Sequence, residues 1–313
     1  MAGMTCSHED VLAQLRPLMF AIAYRMLGSV SEAEDIVQEA SLRVLTALRG
    51  GVRIESPEAY ATTVATRLAI DELRSARARR EQYVGEWLPE PLLHEPGHDD
   101  PASHAEMADS LSLALLVVLE RLSPEQRAVF LLHEVFDYGY REIAEIVGRR
   151  EDSVRQLAAR ARRYVRDRRP RFDSSPAERD EIARRFFAAV ENGDVAALEA
   201  LLAKDATLHG DGGGKVPALA RAVDGRRRVA RTLLAWRRML ARANGQLQRS
   251  EVNGQPGALL LDGDDALLGV WSVDIADGRV HTMRSMINPD KLRHVGQLSA
   301  LTHGRRSPTG RSA

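Results

Sequence analysis

The sequence predicts two all-α domains followed by an α+β domain. Three observations lead there. Apolar residues recur at helical spacing through about residues 9–82 and again through 103–170. A stretch rich in proline and glycine, YVGEWLPEPLLHEPGHDDPA at 83–102, breaks the pattern between them. Beyond about 177 a helical hairpin gives way to short, partly alternating runs divided by Asn-Gly and Asp-Gly turns, as antiparallel strands are.

Each element has its own signal. Val11, Leu12, Leu15, Leu18, Met19, Ile22 and Met26 mark the first helix. In GSVSEAEDIVQEA, Ser31 is the expected N-cap, with Glu34 completing a capping box. Gly50-Gly51 ends that helix. Ser56 caps the third, and Pro57 takes its first position. After the break, Leu111–Leu122 reads as one helix, and Ser123-Pro124 opens the next. Ile143, Ala144 and Val147 form the apolar face of a short helix that stops at Gly148, and Asp152-Ser153 opens another. Two short helices around a glycine turn predict a helix-turn-helix. In the last domain Asn192-Gly193-Asp194 turns a hairpin, residues 225–243 form a further helix, and the strands follow.

Composition narrows the function classes. The 313 residues are 44% apolar and 28% charged, which fits a soluble globular chain. Formal net charge is zero, so any nucleic-acid surface must be local. Cys6 is the single cysteine, which rules out an intrachain disulfide and favours a reducing cytoplasm. The N-terminus shows no secretory leader, and the longest apolar run, Leu113–Leu119, is too short to cross a membrane. No metal or cofactor is expected.

A local basic surface is present. Ten arginines lie between Arg149 and Arg171, on and after the second helix of the expected helix-turn-helix. That helix enters a major groove with its N-terminal side chains at base edges. Ser153, Arg155 and Gln156 are the candidate readers, and Arg160, Arg162, Arg163 and Arg166 the candidate phosphate contacts. A second set, Arg67, Asp71, Arg74 and Arg77, falls near one face of the helix that begins at Pro57.

Three segments carry a family resemblance. GSVSEAEDIVQEASLRV resembles the polymerase-binding segment of extracytoplasmic-function sigma factors, PEAYATTVATRLAIDELRSAR their −10-reading helix, and LSPEQRAVFLLHEVFDYGYREIAEIVGRREDSVRQLAARARR their −35-reading domain. The resemblance implies a region 2 domain at 1–82, a linker at 83–102 and a region 4 domain at 103–170. It places Arg67, Asp71, Arg74 and Arg77 at the −10 element. Ser153, Arg155, Gln156, Arg160, Arg162 and Arg163 fall at the −35 element. By the same resemblance Asp35, Gln38 and Glu39 would face the β′ coiled coil of core RNA polymerase, and the β flap of the polymerase and promoter DNA would be the other partners. Arg67 stands where the group often has Asn, and Leu157 where it often has a basic residue. Both departures bear on the promoter sequence.

Residues 177–295 resemble the SnoaL-like, or NTF2-like, cone, which hosts cyclases, isomerases and non-catalytic modules. His209, Asp211, Trp236, Trp271 and His281 are the candidates for its pocket, where a small ligand has room. The rival reading, a cyclase or isomerase with a DNA-binding segment, predicts turnover governed by His209 or Asp211. Sigma domains fused to this cone resemble the sigma-J-like subgroup, whose short marks YVGEWLPEP, DGGGK and NPDKL all occur. That subgroup implies activity set in cis by the cone, without a separate anti-sigma factor. Trp87, Leu88, Pro89, Asp211, Lys215, Asn288, Pro289 and Asp290 are the candidate regulatory contacts. LHGDGGGKVPAL at 208–219 is no P-loop, since His209 replaces the first glycine and Val216 the metal-binding hydroxyl. The glycines are expected to admit a close partner, the linker around Trp87. Residues 296–313 are expected to be a disordered tail.

Overall fold

The computed structural model describes residues 8–50, 54–81, 83–93, 111–168 and 175–302, with the backbone alone at 76–81 and 302. The chain forms two compact units. One holds Met1–Glu81 and Leu116–Arg169, the other Gln82–Leu115 and Pro170–Ala313. The first expected helical domain thus shares a unit with residues 116–169 of the second, while the described linker residues 83–93 and residues 111–115 belong with the third domain.

In the first unit, α1 (His8–Leu27), α2 (Val30–Arg49) and α3 (Pro57–Glu81) pack as a bundle. Met19, Ile22 and Met26 of α1 and Ala33, Val37 and Val44 of α2 are buried in it, and the buried Ala61, Ala65 and Ala69 give α3 a flat face for close approach. The cap of α2 lies two residues earlier than the sequence predicts. Gly28 takes φ 67° and turns the chain at once, so the Ser29 hydroxyl accepts from Glu32 N, while Ser31 is already helical. A short α4 (Leu113–Leu119) falls inside the expected 111–122 helix. Helix α5 (Pro124–Glu134) begins with the Ser123–Gln126 capping box. Helices α6 (Tyr140–Val147) and α7 (Glu151–Arg166) form the helix-turn-helix, with Gly148 at φ 65° ending α6 as a left-handed C-cap. Val129, Leu132, Ile143, Ile146, Val154 and Ala158 are its core.

In the second unit, α8 (Pro176–Asn192) and α9 (Val195–Leu201) make the hairpin, with Asp194 capping α9. Strands β1 (Leu202–Asp211), β2 (Val223–Asp224), β3 (Gln246–Val252), β4 (Gln255–Leu261), β5 (Leu267–Ala276) and β6 (Arg279–Met286) form one sheet in the order β2-β1-β6-β5-β4-β3. Helix α10 (Arg226–Arg242) packs on it. The Asn253-Gly254 and Asp277-Gly278 turns have positive φ at both residues, as tight hairpins need. The sheet is not purely antiparallel: β1 pairs with β6 in parallel, Leu208 opposite Met283. One sheet face, with Leu208, Val273 and Met283, meets Phe186, Phe187, Val229 and Leu233 of the helices. Residues 296–302, expected to belong to a disordered tail, are instead tied to the sheet. Leu267 N donates to Gln297 O, Ser299 N donates to Leu267 O, and the Ser299 hydroxyl donates to Asp262, all fixing 296–302 to the sheet. The rest of the tail lies outside the described residues.

Candidate functional site

In the first unit, the helix-turn-helix presents an exposed face. Ser153, Gln156, Arg160 and Arg163 are exposed, while Val154, Ala158, Ala161 and Val165 are buried beneath them. Arg160 and Arg163 have no carboxylate partner among the described residues. Arg155 and Arg162 differ from expectation. Arg155 pairs with Glu151 and lies 4.7 Å over the Tyr140 ring, and Arg162 Nε donates to Glu134 at 2.5 Å. These two guanidiniums brace α7 against α5 and α6 in this state.

The −10 candidates are likewise engaged. Arg67 donates from Nε to Ile146 O at 2.8 Å and from Nη2 to Glu145 O at 2.9 Å, the last carbonyls of α6. A guanidinium suits the negative end of a helix. Thr62 and Tyr138 share a hydroxyl hydrogen bond of 2.9 Å. Arg74 bridges Asp71 at 2.9 Å and Glu125 at 2.7 Å, and Arg149 stands 3.6 Å from the same Glu125. Burial alone would lift the Glu125 carboxyl, but its hydrogen bond to Arg74 and the charges of Arg74 and Arg149 hold it below the ordinary value. The Arg77 side chain lies outside the described residues. On α2, Asp35 and Gln38 are exposed and Glu39 pairs with Arg43 at 2.7 Å. Leu42, 60% exposed, continues their row at helical spacing.

In the second unit, the linker is clasped by the α+β domain, and Asp211 is the centre. It is fully buried at the end of β1. Its Oδ1 accepts from Tyr83 OH at 2.5 Å and Gly213 N at 3.0 Å. Its Oδ2 accepts from Leu88 N at 2.9 Å and Lys291 Nζ at 2.8 Å. Lys291 also donates to Leu88 O and sits 4.1 Å over the Trp87 ring and 4.9 Å over that of Tyr83. Burial raises the Tyr83 hydroxyl far above its ordinary value, and the bond to Asp211 adds to the rise, so it stays a donor at neutral pH. Asn288 donates to Tyr83 OH at 2.8 Å, and Lys215 pairs with Asp290. Further along, Leu92 N donates to Asn253 Oδ1 at 2.9 Å and His294 meets Pro91 O at 2.7 Å.

The glycine run is explained by this clasp. Gly213 and Gly214 have φ of 61° and 70°. A Cβ at Gly213 would enter the Asn288 amide, and one at Gly214 would stand 2.9 Å from the Val84 side chain. The partner is the linker, as expected, but Val84 and Asn288 meet the glycines while Trp87 covers Lys291.

Comparison with known proteins agrees with this division. Residues 11–79 match the Sigma-70 region 2 family, 112–165 the Sigma-70 region 4 family, and 183–287 the SnoaL-like domain family. The chain is 39% identical over 305 residues to the ECF RNA polymerase sigma factor SigJ of Mycobacterium tuberculosis, covering 95% of this chain and 96% of that one. It belongs to the ECF RNA polymerase sigma factors. A probable ECF sigma factor from the same species, SigI, is 34% identical over 298 residues, 91% of this chain and 96% of its own. The crystal structure of SigJ superposes with a TM-score of 0.73 at 36% identity, covering 91% of this sigma factor and 98% of SigJ.

The cone's pocket in this sigma factor differs from expectation. A cavity of about 550 Å³ is lined by Trp236, Trp271, Leu219, Leu240, Ser285 and other mainly apolar groups, none titratable. Trp236 and Trp271 are there, as expected. His209 and Asp211 are not. Their strand positions put them on the opposite sheet face from Leu208, where His209 pairs with Glu86 at 2.7 Å and Asp211 holds the linker. His281 does not line the cavity either.

One functional residue escaped the sequence reading. Lys291 is the fourth residue of NPDKL, of which the sequence singles out only Asn288, Pro289 and Asp290. Its signal was available: the sigma factor has three lysines, Lys204, Lys215 and Lys291, among 44 basic residues, and two of them serve the clasp. A compact ammonium fits between two rings and a carboxylate where a planar guanidinium does not. No described helix is long and apolar enough to cross a membrane.

Proposed function

We propose that this sigma factor is governed in cis, by a closed arrangement of regions 2 and 4 and by the clasp on its linker. In this reading Arg67, Asp71, Arg74 and Arg77 serve the −10 element. Ser153, Gln156, Arg160 and Arg163 serve the −35 element, joined by Arg155 and Arg162 once freed. Asp35, Gln38 and Glu39 meet the β′ coiled coil of core polymerase, and region 4 meets the β flap. The SnoaL-like domain does the work that a separate anti-sigma factor does elsewhere. A non-catalytic role is supported by the pocket's lining, which among the described residues offers no general acid or base. An apolar small molecule suits that pocket.

The observation that carries the reading is the buried Asp211, which holds Tyr83, Leu88 and Lys291 together. A regulator must make contacts in one state that it lacks in another. Arg67 supplies the counterpart, because a guanidinium donating to Glu145 O and Ile146 O is not free for a base. Run-off transcription with core polymerase tests the reading. Asp211→Asn and Trp87→Ala are expected to raise transcription from the factor's own promoter. Unchanged transcription in both variants overturns it.

A further inference from the structure

Helix α10 of the SnoaL-like domain carries an unusual charge. Residues 221–249 hold nine arginines and one acidic residue, Asp224, in a chain whose net charge is zero. Seven of the nine lie on α10 itself, which has no acidic residue. Arg227, Arg231, Arg238 and Arg242 follow one another at spacings of four, seven and four. At about 100° per residue they occupy a stripe roughly 60° wide and about 22 Å long. All four are exposed. The opposite face, with Val229, Ala230 and Leu233, is buried in the core.

The charge is largely uncompensated. Glu199 stands 3.9 Å from Arg227, and among the described residues no carboxylate lies within ion-pair distance of Arg231, Arg238 or Arg242. The linker clasp and the apolar cavity do not use these side chains. Four like charges held in a row on a rigid helix repel one another, so the row is costly to the isolated domain.

We propose that this arginine stripe is a further DNA contact, which binds the phosphates of duplex DNA without reading its sequence. A duplex strand offers one negative charge per about 3.4 Å of axis, so a stripe of about 22 Å runs past roughly six phosphates. Arginine is the side chain best suited to phosphate oxygens. An acidic protein surface fits less well, because protein interfaces are built around an apolar core with charges at the rim. The stripe has no such core: the exposed large apolar residue of α10, Met239, lies outside it. A sigma factor already brought to DNA by its other unit gains from such a contact through effective concentration, even where the contact is weak.

Salt dependence tests this. Full-length protein is titrated onto a labelled duplex of scrambled sequence between about 50 and 200 mM salt. The fourfold variant R227Q/R231Q/R238Q/R242Q is compared with the unaltered protein. Loss of four phosphate contacts makes the slope of log K against log salt shallower by about 3.6. Over that range the unaltered protein then loses about 150-fold more affinity than the variant. Parallel slopes overturn the proposal. So does a variant that keeps the slope and loses core polymerase, which assigns the stripe to a protein partner. A fourfold Arg→Lys variant keeps the charge and is expected to keep most of the slope. Should the Gln variant not fold, arginine-specific labelling of the unaltered protein decides. Protection of the four arginines by duplex DNA supports the contact, and undiminished labelling in the presence of bound DNA refutes it.

Discussion

Lys291 Nζ lies 2.8 Å from Asp211 Oδ2, and both side chains are buried. Leu88 closes the group, its N–H on the carboxylate and its carbonyl on the ammonium. Two charges withdrawn from water in this way depend on each other and on the linker backbone that completes their hydrogen bonds. The linker is therefore part of the domain's polar interior rather than a solvated connection.

Breaking one side of this pair leaves the other charge buried. Lys291→Met is expected to cost about 3–5 kcal/mol, and adding Asp211→Asn to it is expected to restore part of the loss. Thermal melts of the two singles and the double check this. Limited proteolysis near Tyr83–Leu93 should accelerate in Lys291→Met. Additive losses in the double variant would show that the pair is not coupled.

The glycines give a graded test. Gly213 and Gly85 both have positive φ, 61° and 89°, but a Cβ at Gly85 meets nothing while one at Gly213 meets the Asn288 amide. Gly85→Ala should cost backbone strain alone, about 1–2 kcal/mol. Gly213→Ala should cost more, because Asn288 must withdraw from Tyr83 and from Asp290 N. Equal shifts in melting temperature would count against the close approach.

How much of this was legible in the sequence follows from how local each feature is. Pro57, Ser123-Pro124, Gly148 and Asp194 mark helix ends through their own backbone preferences, and each stands where it was read. The cap expected at Ser31 falls instead at Ser29, because the left-handed turn at Gly28 starts the helix two residues early. The parallel pairing of Leu208 with Met283 joins residues far apart in the chain, so no local pattern announces it. The same holds for His209 and Asp211. Alternation along β1 groups them on one face, but which face meets the linker depends on the whole sheet. The hold of α6 on Arg67 was hidden for another reason. A basic residue on a DNA-facing helix reads as a DNA contact, and the sequence does not show a competing helix end.

That competition is measurable without touching a promoter-reading residue. Tyr138 OH bonds Thr62, which is fully buried on α3. Tyr138→Phe removes this bond at a cost of about 1 kcal/mol to the closed arrangement. A shift of that size changes a two-state ratio by about 5-fold. Full-length Tyr138→Phe should bind a single-stranded −10 oligonucleotide about 5-fold more tightly. Unaltered affinity would mean that the closed arrangement does not limit binding.

Acid should loosen the same arrangement through Glu125. Its carboxyl, which burial alone would raise, is held below the ordinary value by Arg74 and Arg149. A carboxyl depressed in the folded state contributes stability in full above its unfolded value of about 4.3 and loses it as pH falls through the lower folded value. The stability difference between unaltered protein and Glu125→Gln, from denaturant midpoints, should be constant from neutral pH to about 5 and shrink as pH falls below the ordinary carboxyl value of about 4.3. A gap that persists in acid would make Glu125 a packing residue instead. Because Arg74 loses its bond to Glu125 in the same titration and keeps only Asp71, binding of the −10 oligonucleotide should strengthen as the gap closes, at pH values where the nucleic acid keeps its phosphate charge.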